Sequence, residues 1–166
     1  MSLRFLPLEP AIADRVRQEL RSPQYGHPAT VELAKGYGPC RQCLRTFRTG
    51  EEDRILFTYN PVPKDAGLPD PGPVFIHREA CAPFADAALP ADLLALPLFL
   101  EGYGEASWLV RRERVVDGDV EGAASRLFTD PAIDYLQLRN AEAGCFIARV
   151  ARDQPAAATG ISSIEK

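Results

Sequence analysis

A chain of 166 residues, 46% hydrophobic and 25% charged, has ordinary globular composition and the length of one domain, which excludes a fibrous or largely disordered polymer. Its formal net charge of −4 repels polyanions, so nucleic acid is an unlikely partner outside a local patch. Met1 to Leu8 lacks the apolar run of a signal peptide, and no segment approaches the roughly 20 apolar residues of a membrane span; the expectation is a cytoplasmic chain.

In chain order, Leu3 to Leu8 predicts a short strand. Pro10 to Leu20 predicts a helix with proline in its first turn and Ile12, Val16 and Leu20 on one face. Turn residues fill Arg21 to Pro39 around one short strand, Thr30 to Ala34. Arg54 to Tyr59 alternates as a strand with Ile55, Phe57 and Tyr59 on one side, and Cys43 to Phe47 is its candidate hairpin partner. Asn60 to Pro73, rich in proline, reads as a surface loop; Val74 to Ile76 is then a strand that delivers His77.

A short helix is expected near Pro90, followed by strands at Leu98 to Tyr103 and Ser107 to Val116. Asp119 stands where an N-cap belongs, ahead of the apolar stripe Val120, Ala123, Ala124, Leu127 and Phe128 of a helix. Tyr135 to Arg139 and Cys145 to Val150 pair as a hairpin around Asn140 to Gly144, and residues 153–166 form a polar tail. Short turns between successive strands favour an α+β fold: a mostly antiparallel sheet with two or three helices packed against it, built as one domain over residues 1–152. Neither GxGxxG nor GxxxxGK[ST] occurs.

The chemically distinctive residues are Cys40, Cys43, His77 and Cys81. Cysteines three apart can offer both sulfurs to one ion, and His77 and Cys81, four apart, share a face if the chain turns helical there. Three thiolates and an imidazole suit tetrahedral Zn²⁺ in a closed, structural site. Two other readings stay open: ordinary thiols, and a redox CxxC pair that lacks a following helix and has only Arg41 and Arg45 as nearby cations.

Cys145 reads as a small buried side chain or as a nucleophile served by His77 or His27. Arg139 and Asn140 can hold an anionic ligand or simply fix a turn. Arg111, Arg112 and Arg114 near Trp108 could meet RNA, although a solvated sheet face with cross-strand pairs is the simpler reading. Glu51, Glu52 and Asp53 read as a solvated turn.

The segments Gly72-Pro73-Val74-Phe75-Ile76-His77 with Cys81, Asn140 to Cys145, and Pro39 to Leu44 followed by Gly50-Glu51 resemble a bacterial family named domain of unknown function 1203 over Leu3 to Arg152. The resemblance implies a single-domain bacterial protein and carries no activity or catalytic residue. The functional expectation is a non-catalytic domain, zinc-stabilised, that binds a protein or small ligand. The alternative is a zinc- or thiol-dependent enzyme, a hydrolase or redox protein, using His77 with Cys40, Cys43 and Cys81, or Cys145.

Overall fold

The computed structural model describes residues 1–36, 38–62 and 71–153, so most of the proline-rich loop and nearly all of the polar tail lie outside the described residues. The elements run β1 (Leu3–Leu6), α1 (Pro10–Glu19), β2 (Thr30–Leu33), β3 (Asp53–Tyr59), β4 (Gly72–His77), α2 (Ala91–Leu94), β5 (Leu98–Tyr103), β6 (Leu109–Arg114), α3 (Val120–Leu127), β7 (Tyr135–Asn140) and β8 (Phe146–Arg152). The fold is α+β. The strands form two antiparallel sheets, one ordered β1-β8-β7-β5-β6 and the other β2-β3-β4.

The larger sheet grows from local chemistry. Asn140 Oδ1 accepts the backbone N–H groups of Glu142 and Ala143, and Gly144 takes φ +73°, so the chain reverses tightly and pairs β7 with β8. Leu100 opposes Leu138 and Leu136 opposes Val150; these side chains bury against Val120, Ala123, Ala124 and Leu127 of α3. Asp119 caps that helix, its carboxylate accepting the Gly122 N–H at 2.9 Å.

On the opposite face of the same sheet, polar side chains are buried. Glu101 accepts hydrogen bonds from Tyr103 and Arg112 and forms an ion pair with Arg139 at 2.7 Å, so the carboxylate is held by two guanidiniums and a phenol.

The smaller sheet has its own core, in which Ile55, Phe57, Val74 and Ile76 meet Ala13 and Val16 of α1. Three sequence expectations need correction here. The strands divide between two sheets rather than one. Cys43 to Phe47 is no strand: the flanks of β3 are taken by β2 and β4, Leu44 adopts a left-handed backbone at φ +62°, and only Pro39 and Thr46 form an isolated bridge. The strand predicted from Ser107 starts at Leu109, because a 3-10 turn over Glu105–Ser107 follows β5.

The two cores meet at the CxxC turn. Cys40 belongs to the smaller core and Leu44 to the larger. Between them the Arg41 side chain, buried to 3% exposure, donates to the Phe146 carbonyl on β8 at 2.6 Å and to the Pro39 carbonyl at 2.6 Å. Its backbone N–H donates to the Phe75 carbonyl on β4, and its carbonyl accepts the Leu8 N–H.

Candidate metal centre

Cys40 and Cys43 stand on a turn closed by the Leu44 N–H donating to the Cys40 carbonyl at 2.9 Å. The positive φ of Leu44 supplies the reversal that glycine or asparagine usually provides, and burial of the leucine side chain offsets the strain. His77 ends β4. Its backbone N–H donates to Cys40 Sγ at 3.4 Å, so the sheet register itself points the strand end at the cysteines. Cys81 arrives through a bend and irregular chain, not through the helical turn expected for His77 and Cys81.

One ligand atom from each of Cys40, Cys43, His77 and Cys81 lies within 4.8 Å of the others. A tetrahedral zinc with bonds of about 2.3 Å to sulfur and about 2.0 Å to nitrogen needs S···S edges of about 3.8 Å and S···N edges of about 3.5 Å. The separation of Cys40 Sγ from Cys81 Sγ is 3.8 Å, and that of Cys43 Sγ from His77 Nδ1 is 3.5 Å. The donor set therefore fits zinc in kind and number, and these two of its separations match tetrahedral edges.

Two neighbours complete the arrangement: Glu52, which the sequence places in a solvated turn, and Arg17, which sequence reasoning did not single out. Glu52 Oε2 lies 3.3 Å from His77 Nε2, the orienting carboxylate that fixes a metal-binding imidazole with Nδ1 free to ligate. Burial raises the Glu52 carboxyl, but hydrogen bonds from the Arg48 backbone, His77 and the Arg48 side chain outweigh it and hold its pKa below the ordinary value. Arg17 of α1 donates to the His77 carbonyl at 3.0 Å and to Cys81 Sγ at 3.6 Å. Three thiolates and a neutral imidazole around Zn²⁺ leave one net negative charge, which Arg17 offsets.

Proton distribution in the cluster points the same way. Hydrogen bonding with Cys43 and Cys81 holds the Cys40 thiol well below its ordinary range. Cys43 is pushed up by Cys40 and Cys81. Interaction with Cys40 and then Cys81 lifts His77, against the effect of burial, to about 10. Negative sulfur thus keeps a proton on the imidazole until a stronger cation displaces it.

A groove of about 820 Å³ opens beside the cluster, lined by Cys43, His77, Cys81, Glu79, Asp86 and Asp92 among others. The remaining expected site residues lie elsewhere. Arg139 and Cys145 share a smaller pocket of about 250 Å³ with Tyr59, and no histidine lines it. Arg139 is committed to Glu101, Gln137 and the Gly144 carbonyl, while the Asn140 side chain fixes the hairpin turn. His27 is exposed in a loop, stacked on Tyr25. Cys145 therefore has no imidazole partner among the described residues.

The fold and site define an α+β protein of two antiparallel sheets with a Cys₃His cluster against the core of the smaller one. The chain belongs to the family described as protein of unknown function (DUF1203), whose sequence profile matches residues 37–152. The matched span holds all four cluster residues, Glu52 and Arg41, whereas Arg17 precedes it. No curated protein and no solved structure matches the chain.

Among the described residues no helix is long and apolar enough to cross a membrane.

Proposed function

We propose that this chain is a non-catalytic, cytoplasmic bacterial domain that carries a structural zinc ion on Cys40, Cys43, His77 and Cys81 and serves to bind a protein or small ligand. The supporting observation is the convergence of four protein ligand atoms within 4.8 Å of one another, two of their separations matching tetrahedral edges; an ion held by all four has no coordination position left for water or substrate. The Glu52 carboxylate behind His77 and the Arg17 guanidinium beside Cys81 give the ion the outer partners that such sites use.

Elemental analysis of protein purified without added metal, combined with a free-thiol count, tests the reading. One zinc per chain, lost in a Cys40→Ser variant, is expected. Four freely titrating thiols and no metal would remove it.

The groove beside the cluster favours a second reading, a zinc hydrolase in which one ligand yields its place. Cobalt substitution separates the two. A closed site keeps the same visible spectrum when cyanide is added, whereas an exchangeable position shifts it.

A further inference from the structure

We propose that the outer edge of β6 is a docking site for an extended acidic segment of another protein, which adds to the larger sheet as a sixth strand. The inference deepens the binding role proposed above by naming the partner's chemistry, and it rests on that reading but not on the zinc.

In the larger sheet β6 has one neighbour, β5, and stands at the sheet margin. Among the described residues, no backbone hydrogen bond beyond its ladder with β5 involves Leu109–Arg114. Five of its six residues are exposed. Such an edge presents alternating unpaired donors and acceptors, the template used in strand addition.

The side chains say what kind of strand fits. Trp108 (70% exposed), Leu109 and Val110 put an apolar run in solvent at one end of the edge. At the other end stand Arg111, Arg112 and Arg114, an excess of positive charge on a chain whose net charge is −4. Glu113 is paired with Arg126 at 2.6 Å, and Arg112 is tied to Glu101 over the Phe99 ring. Arg111 and Arg114 make no ion pair among the described residues. A partner strand with acidic side chains beside Arg111, Arg112 and Arg114 and apolar ones near Leu109 and Val110 complements both ends.

The same observations disfavour other occupants. Antiparallel pairing with a second copy of β6 about its centre sets each copy's Arg111 against the other's Arg112, a like-charge repulsion across the seam. Single-stranded nucleic acid needs successive open aromatic faces, and beside this edge Trp108 offers a single one. On this sheet Tyr103 and Tyr135 stack on each other at 5.4 Å, Arg149 covers Tyr135, and both rings are buried.

Fluorescence anisotropy with a labelled peptide that joins a block of glutamates to a block of valines, matching the two ends of the edge, tests the proposal on the full chain, with metal content measured in the same samples. Saturable binding is expected, weakened about tenfold or more when alternate peptide nitrogens are methylated, because methylation removes ladder hydrogen bonds and leaves charge intact. The double variant Arg111→Glu/Arg114→Glu should reverse the preference toward a lysine-valine peptide. Should that variant misfold by circular dichroism, Arg111→Gln/Arg114→Gln should still weaken the glutamate peptide.

Absence of saturable binding overturns the proposal, as does indifference to methylation. Tighter, Arg111- and Arg114-dependent binding of oligouridine overturns it in favour of RNA, and β6-dependent dimerisation in sedimentation does so in favour of self-pairing. Zinc-loaded protein that ignores the peptide refutes the edge alone; protein that carries no metal as purified, its four thiols freely titrating, and still binds the peptide refutes the zinc alone.

Discussion

The five-stranded and three-stranded halves of the molecule solve the same problem by different means. The larger sheet buries Leu98, Leu100, Leu136, Leu138 and Val150 under an amphipathic helix, and its β5, β6, β7 and β8 are linked by short connections or packed neighbours. The smaller sheet has three strands and one helix face, and part of its apolar cluster is made of Cys40, Cys43 and Cys81 themselves. Where hydrocarbon is scarce, burial alone gives a thin margin over chain entropy, and a metal cross-link between distant segments is an effective supplement. The difference teaches that one chain can contain a part held by its core alone and a part whose core is built partly of residues able to hold a metal.

The sharpest way to break this contrast is to remove the metal. Chelation should lower the melting temperature by on the order of 10–20 °C, and hydrogen exchange should show β3 and β4 losing protection while β5, β7 and β8 retain theirs. Uniform loss across both sheets would contradict the division.

The reverse perturbation acts on hydrocarbon. Leu138, fully buried opposite Leu100, should cost about 2–5 kcal/mol when changed to alanine, measured by urea denaturation, with zinc stoichiometry unchanged. Glu52→Gln should weaken zinc about 10- to 100-fold in a chelator competition, since the amide orients the imidazole less well, while leaving the larger sheet's exchange pattern alone. Smallest of the four, Asp119→Ala removes the α3 cap and should cost about 1 kcal/mol in thermal melts with no change in metal affinity.

Legibility followed the same division. The β7–β8 hairpin, the Asp119 cap and the α3 stripe could be read because each depends on residues adjacent in the chain. Cys40, Cys43, His77 and Cys81 were legible as a set because thiol and imidazole spacing restricts the chemistry, although the path to Cys81 is irregular chain rather than helix.

Glu52 was misread as a solvated turn. Only the pairing of Arg54 with His77 across β3 and β4 brings it to the imidazole, and that register is not written in either strand alone. Arg17 was hidden for a similar reason, since its position on α1 says nothing of which loop the helix will cover. The split into two sheets escaped because strand count carries no information about which strands share a ladder.

The hydrogen bond from the His77 backbone to Cys40 sulfur has a consequence for how β4 finds its place. A slip of one residue along β3 would turn the imidazole to the far side of the sheet and carry its amide out of reach of the sulfur. A metal bound at the cluster would thus act as a proofreader of alignment, since only one offset of the two strands would close the chelate.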